Sequence, residues 1–405
     1  MGARRPGQPI NALGPAEVNA GESITVLVFT PGPTEVPARV LRRMAAPITN
    51  PDVDRKFVSF YEGVQSKLMA LMKTKNDVLI MSAEGLLGLE AAVASLVGRG
   101  DKVLTVTNGV FGDGFVDFVK LYRGVPVPVL ADYDRPIDPE KVAEALDANR
   151  SIKVATFVHC ETPSGVLNPL KEVSRQCRKR DVVLVADVVS SLGGVPVEAD
   201  AWGVDVCLGA SQKCISAPPG LALVSVSDHA WEAVRSRKDK IPSYYLSLGQ
   251  WNEWWKKSKL FPYTPSVSDI YALDEALDMI SEEGLRSVFS RHAKVSRALL
   301  AALRAMGLSP FPASDEFHSP TVTAFRRPAR IDEERLRAVM ESRYSVMIAG
   351  SWGKLTGKVL RLGNMGYNAY PQKAIKAARA LENALKDLGF MPKRSGVVAA
   401  KELLR

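Results

Sequence analysis

The feature that most restricts the fold is an alternation of short β-like runs and helical stretches beginning near Asp77. Asp77–Met81, Lys102–Thr107, Val125–Leu130, Val154–His159, Val182–Ala186 and Val206–Leu208 are strand-like, and Gly85–Val97, Pro139–Ala148 and Pro169–Arg180 are helical in spacing. Parallel strands need long crossovers where antiparallel ones need only a turn, so this order predicts a mostly parallel sheet covered by helices. Asn108–Gly112 reads as a glycine-rich turn before the segment Phe115–Tyr122. Beyond Pro265 the texture changes: a long helical segment runs to about Leu303 with a break near Gly284, and Thr321–Asn364 mixes strands and helices. The expected organisation is a flexible extension over 1–25, a large domain over 26–275, a small C-terminal α+β domain over 276–390 and a tail over 391–405.

Composition narrows the class. The 405 residues carry a formal charge of +9, but basic residues are dispersed among acids without aromatic-interleaved clusters. That pattern argues for an anion-seeking site on a basic surface and against a nucleic-acid partner. Cys160, Cys177, Cys207 and Cys214 have neither CxxC nor zinc-like spacing, which suits reduced thiols, no metal site and a cytoplasmic address. No apolar run approaches the ~18 residues that cross a membrane.

Two adjacent β/α units end in chemically telling residues. Val182–Ala186 runs into Asp187, and Val206–Leu208 runs through Gly209-Ala210-Ser211-Gln212 into Lys213. Ligand groups in such sheets collect outside the carboxyl ends of the strands. A Schiff-base enzyme needs a lysine that is neutral near pH 7 in a desolvated pocket, and a carboxylate to hold a protonated pyridine ring as an electron sink. Gly209, Ala210 and Ser211 permit close backbone approach, and Pro218-Pro219-Gly220 stiffens the return.

Further blocks carry a resemblance: Pro31-Gly32-Pro33-Thr34-Glu35-Val36-Pro37, Asn108-Gly109-Val110-Phe111-Gly112, Thr162-Pro163-Ser164-Gly165, Asp187 through Gly194, and Ser211-Gln212-Lys213. From about Thr30 to Gly389 the chain resembles the class V aminotransferases of fold type I, in the alanine–glyoxylate and serine–pyruvate branch. The resemblance implies that Lys213 holds the aldehyde of pyridoxal phosphate and shuttles the substrate Cα proton, while Asp187 pairs with the ring N–H. It implies that Phe111 and Val189 lie on the two ring faces, that Thr162 sits near the phenolic oxygen, and that Gln212, Gly85 and Leu86 serve the phosphate end. Arg361, with Gly32, would receive the substrate carboxylate, for which a bidentate guanidinium is suited. Thr264 would reach the phosphate of a neighbouring subunit, which implies a homodimer with composite sites. The implied reaction moves an amino group from a small amino acid such as alanine or serine to pyruvate or glyoxylate.

One block departs from the family pattern. A hydroxyl-rich phosphate cradle is expected where the chain reads Ser82-Ala83-Glu84-Gly85-Leu86. Like charges ~4 Å apart repel by several kcal/mol even at an effective dielectric near 20. A branch member that consumes the unphosphorylated vitamer, pyridoxamine–pyruvate aminotransferase, carries a glutamate at the matching position and resembles this chain closely. Unphosphorylated pyridoxamine as a substrate is therefore the alternative expectation. A second arginine of that enzyme's oxo-acid site is replaced around Trp352. Cysteine desulfurase chemistry is disfavoured, because Phe111 takes the place of a stacking histidine and Cys214 lies too close to Lys213.

Overall fold

The computed structural model describes residues 26–405; the extension expected over 1–25 lies outside the described residues. A short strand β1 (Leu27–Val28) comes first, followed by β2 (Asp77–Ser82), β3 (Lys102–Thr107), β4 (Val125–Leu130) and β5 (Val154–Val158). A two-residue hairpin follows, β6 (Cys160–Glu161) with β7 (Val166–Leu167), and then β8 (Val183–Asp187), β9 (Val206–Ala210) and β10 (Leu221–Val226). The seven-stranded sheet has the order β2-β10-β9-β8-β5-β3-β4. All its strands run parallel except β10, which is antiparallel to both β2 and β9.

The sequence explains this arrangement. Strands β5, β8, β9 and β10 are buried along their whole length, as strands covered on both faces must be. Strand β4 reads Val-Pro-Val-Pro-Val-Leu and occupies the sheet edge, where a proline's missing N–H costs no ladder bond. The helices 85–96, 110–121 and 267–283 cover the sheet and share its core.

A second core contains Leu299, Leu303, Phe325, Leu360, Leu381 and Leu385. It is built by the helices Leu285–Met306, Glu333–Tyr344 and Pro371–Asp387 with β11 (Thr323–Arg326), β12 (Val346–Met347) and β13 (Val359–Leu362). Two features bear on the expected boundaries. Strand β1, assigned by sequence to the large domain, pairs with β12, and Leu27 and Phe29 belong to the second core. Residues expected as a tail form the helix Gly396–Leu404, capped by Ser395 and packed on the helices 285–306 and 371–387. Tertiary packing decides both features: the strand-like run that the sequence shows up to Phe29 does not say which strand it pairs with, and the last helix is too short to announce itself.

Gly396 lies close against the helix 285–306: a Cβ there would lie 2.9 Å from the Ala302 carbonyl oxygen. Gly396→Val is predicted to destabilise the protein by about 1–3 kcal/mol through overpacking, read as a lower urea midpoint. Unchanged stability would show that the approach of Gly396 to Ala302 is not a packing constraint.

Candidate active site

Five strands, β2, β3, β5, β8 and β9, point their C-terminal ends to one edge of the sheet. Each delivers a sequence-predicted residue there: Glu84 and Gly85 after β2, Phe111 after β3, Thr162 after β5, Asp187 at the end of β8 and Lys213 after β9.

Lys213 is 9% exposed, and its Nζ donates to the Pro31 carbonyl at 2.7 Å. Gly32 has φ +97°, and a Cβ on it would lie 2.6 Å from Lys213 Nζ, so only glycine lets the backbone cross this side chain. The crossing is set by β1: the Gly363 amide donates to the Phe29 carbonyl at 2.8 Å and holds the chain just before Pro31. Burial lowers the Lys213 ammonium to about 8, helped by the Arg361 charge and opposed by Asp187.

Asp187 is buried at the end of β8, where one oxygen accepts the Val189 amide at 2.8 Å. Its other oxygen has no hydrogen-bond donor among the described residues. Burial raises this carboxyl to about 7; the Val189 amide and Lys213 oppose the rise and the Glu84 charge adds to it. Val189 packs against Gly85, whose missing Cβ would lie 2.9 Å from Val189 Cγ2 and 3.1 Å from the Ala210 methyl.

Arg361 on β13 enters from the second core. Its Nε donates to the Gly350 carbonyl at 2.6 Å and its Nη1 to the Thr162 carbonyl at 3.3 Å, leaving its remaining N–H groups for a ligand. It is 3% exposed, and burial lowers the guanidinium to about 10. The Thr162 hydroxyl is hydrogen-bonded to the Ser190 hydroxyl. The Gln212 side chain is buried with its Oε1 unpartnered.

The remaining candidates are exposed. Glu84 is the exposed N-cap of the helix Gly85–Leu96, yet its carboxylate makes no capping hydrogen bond. Leu86 is 47% exposed. Thr264 is exposed and touches none of these residues through hydrogen bonds, although the nearby Ser266 amide donates to Ser82 Oγ at 3.0 Å.

Sequence reasoning missed Glu161. Its buried carboxylate accepts the amides of Phe111 at 3.2 Å and Gly112 at 2.7 Å, the open end of the helix Val110–Leu121. That helix begins at Val110, earlier than the Phe115 start expected, because a carboxylate about fifty residues away satisfies its first amides. Gly109 makes room for it, since a Cβ there would lie 2.7 Å from Glu161 Cγ. Burial raises Glu161 to about 8 despite the two amides. The strand-end rule that selects Asp187 was available for Glu161, which follows β5 by three positions. Among the described residues no group of His, Cys, Asp and Glu side chains has the makings of a metal site, and no helix is long and apolar enough to cross a membrane.

A buried lysine of lowered basicity beside a buried aspartate, at the carboxyl edge of a mostly parallel sheet, is the arrangement of a carbonyl-capturing enzyme. The family model for class V aminotransferases matches residues 26–366. Pyridoxamine–pyruvate transaminase of Mesorhizobium japonicum is 38% identical over 364 residues, spanning 90% of this chain and 92% of that protein. The crystal structure of pyridoxamine–pyruvate aminotransferase from Mesorhizobium loti superposes with a TM-score of 0.90 at 37% identity, covering 94% of this chain and 97% of that one. That of ureidoglycine–glyoxylate aminotransferase from Bacillus subtilis does so with a TM-score of 0.90 at 30% identity, covering 95% and 99%. The chain belongs to the class V aminotransferases, a family typically dependent on pyridoxal phosphate, and has their fold type I architecture.

Two predictions follow from the geometry. Trapping of an aldehyde on Lys213 by borohydride reduction should increase about tenfold per pH unit below 8 and level off above it, because only the free amine attacks. Adduct mass at Lys213 across the pH range checks this, and a flat profile refutes the lowered lysine. Glu161→Ala should cost about 2 kcal/mol in urea unfolding, since it strands the Phe111 and Gly112 amides.

Proposed function

We propose that this enzyme moves an amino group between a small amino acid and a small 2-oxo acid of the pyruvate or glyoxylate type, with Lys213 as the amine that captures the pyridoxal group. The observation that carries this reading is the buried Lys213 and Asp187 pair on adjacent strand ends, with the guanidinium of Arg361 directed to the same edge. Relatives whose names specify pyruvate or glyoxylate as acceptor support the substrate class.

The residues suit a pyridoxal ring at its reactive and nitrogen ends. Asp187 is a buried carboxylate with one oxygen lacking a donor, the demand that a protonated ring nitrogen would meet. Phe111 and Val189 would bound the ring faces, and the Thr162 hydroxyl would serve its phenolic oxygen. When bound, the group supplies an electrophilic carbonyl carbon and an electron-withdrawing ring.

The chain's own side chains then divide the work. Nζ of Lys213, a free amine above about pH 8 and partly so at neutrality, takes the Cα proton of the amino acid and returns a proton after transfer. Buried Arg361 receives the substrate carboxylate through the N–H groups that Gly350 and Thr162 leave open, and fixes Cα relative to Lys213. Pro31 and Gly32 hold the lysine chain in place and exclude water from its far side. We infer a homodimer in which Thr264, exposed on one subunit, faces its partner's site, and a cytoplasmic location.

A second reading is favoured by Glu84. Glu84 puts an acidic residue at the N-cap of the helix Gly85–Leu96, the end where a phosphate would bind helix amides. In that reading unphosphorylated pyridoxamine is the amino donor and the vitamer leaves as product.

Isothermal titration of pyridoxamine against pyridoxamine phosphate separates the two. A phosphate preference supports the first reading. Preference for the free alcohol, inverted by Glu84→Ser, supports the second. In either case Arg361→Gln should raise KM for the 2-oxo acid at least about thirtyfold by removing a charge-assisted bidentate contact. An unchanged KM would remove Arg361 from substrate binding.

A further inference from the structure

The loop between β12 and β13 carries Trp352, an indole left 52% exposed beside a buried guanidinium. The Arg361 Cζ atom lies 5.2 Å from the Trp352 ring centroid, and the Phe111 ring meets the same indole edge-to-face at 5.9 Å and 71°. We propose that Trp352 is a specificity-determining residue: with Phe111 it forms an aromatic wall beside Arg361 that admits amino and 2-oxo acids bearing one carboxylate and an apolar or aromatic side chain, and disfavours those bearing a second carboxylate. The proposal rests on Arg361 being the group that receives the substrate carboxylate.

The wall is held from both sides. Ser351 Oγ donates to the Pro163 carbonyl at 2.8 Å, tying the loop to the turn that follows Thr162. On the other flank Gly353, with φ +58°, turns the chain against Val110; a Cβ there would lie 3.4 Å from Val110 Cγ2. Trp352 is thereby fixed between a residue from the large sheet and one from the second core. The indole supplies the guanidinium with a cation–π contact. A substrate carboxylate held by Arg361 would place its side chain beside this aromatic surface.

Charge makes the selection. Among the described residues Lys213, kept for chemistry, and Arg361, kept for the first carboxylate, are buried cations at this edge. Lys354, on the same loop, lies over the Tyr133 ring at 5.0 Å. An additional carboxylate on the substrate would meet the aromatic surface of Trp352 and Phe111, with Arg361 already engaged by the first. The Trp352 N–H offers a second carboxylate a single neutral donor and no opposite charge. An aryl or alkyl side chain, by contrast, covers indole surface that now faces water.

The test uses the pyridoxal-loaded enzyme and two unreactive acids, 3-phenylpropionate and glutarate, titrated calorimetrically, together with kcat/KM for phenylalanine and aspartate. Wild type should bind 3-phenylpropionate at least about tenfold more tightly than glutarate, with the same order in kcat/KM. Trp352→Phe should keep that ratio, Trp352→Ala should reduce it to within about threefold, and Trp352→Arg should invert it. Wild-type preference for glutarate, or an unchanged ratio in both Trp352→Ala and Trp352→Arg, overturns the proposal. Arg361→Gln separates this failure from that of the underlying reading. If it leaves both acids bound as in wild type, Arg361 does not receive the carboxylate; if it abolishes both while the Trp352 variants keep the ratio, only the role of Trp352 falls.

Discussion

The crossing of Gly32 over Lys213 is the contact on which the rest of the site depends. It takes a residue from each core to make it: β1 is paired with β12, and Lys213 follows β9 in the large sheet. Since a Cβ at Gly32 would occupy the lysine's own volume, the two units meet through backbone and one buried amine. The Pro31 carbonyl gives that amine a hydrogen-bond acceptor without giving it a counter-charge. Burial then depresses its basicity, while Asp187 moderates the effect. The result is a nucleophile available near neutrality in a position fixed by main chain.

Arg361 reaches the same place by the opposite route. Its strand β13 belongs to the second core, and its guanidinium is anchored by the carbonyls of Gly350 and of Thr162, a residue of the large sheet's edge. Two backbone acceptors align the fork without neutralising it, which leaves a full charge for an anionic ligand. The positive charge of Arg361 is also one of the causes of the lowered Lys213 ammonium. The group suited to bind substrate thus prepares the group suited to attack it.

Local sequence carried the parts of this design that depend on strand and helix period. The β/α alternation foreshadowed the seven-stranded sheet, and Asp187 and Lys213 were visible as polar residues closing apolar strands. Positions decided by distant partners were not legible. The helix Val110–Leu121 starts where it does because Glu161 accepts its amides, and no local signal at Asn108–Gly112 reports a carboxylate on another loop. The helix Gly396–Leu404 is short, and its place is decided by the close approach of Gly396 to Ala302. The pairing of β1 with a strand more than three hundred residues later lies equally beyond reading by periodicity.

Glu161 and Glu84 show how differently one residue type can stand at a helix N-terminus. Glu161 is buried, takes two amides and completes a helix from outside its own sequence. Glu84 is the N-cap itself, exposed, and makes no capping bond, so its carboxylate leaves the amides at the start of the helix Gly85–Leu96 with their capacity for an anion. The helix dipole favours either negative charge, but not both together: at ~4 Å and an effective dielectric near 20, each unit of charge on a phosphate would meet about 4 kcal/mol of repulsion from an ionised Glu84. A neutral hydroxymethyl group meets none of this and could donate a hydrogen bond to the same carboxylate. On the proposed reading the phosphate end would be governed by that one side chain and the reactive end by the backbone crossing at Gly32, so substitution at Glu84 would change which vitamer is held without disturbing Lys213.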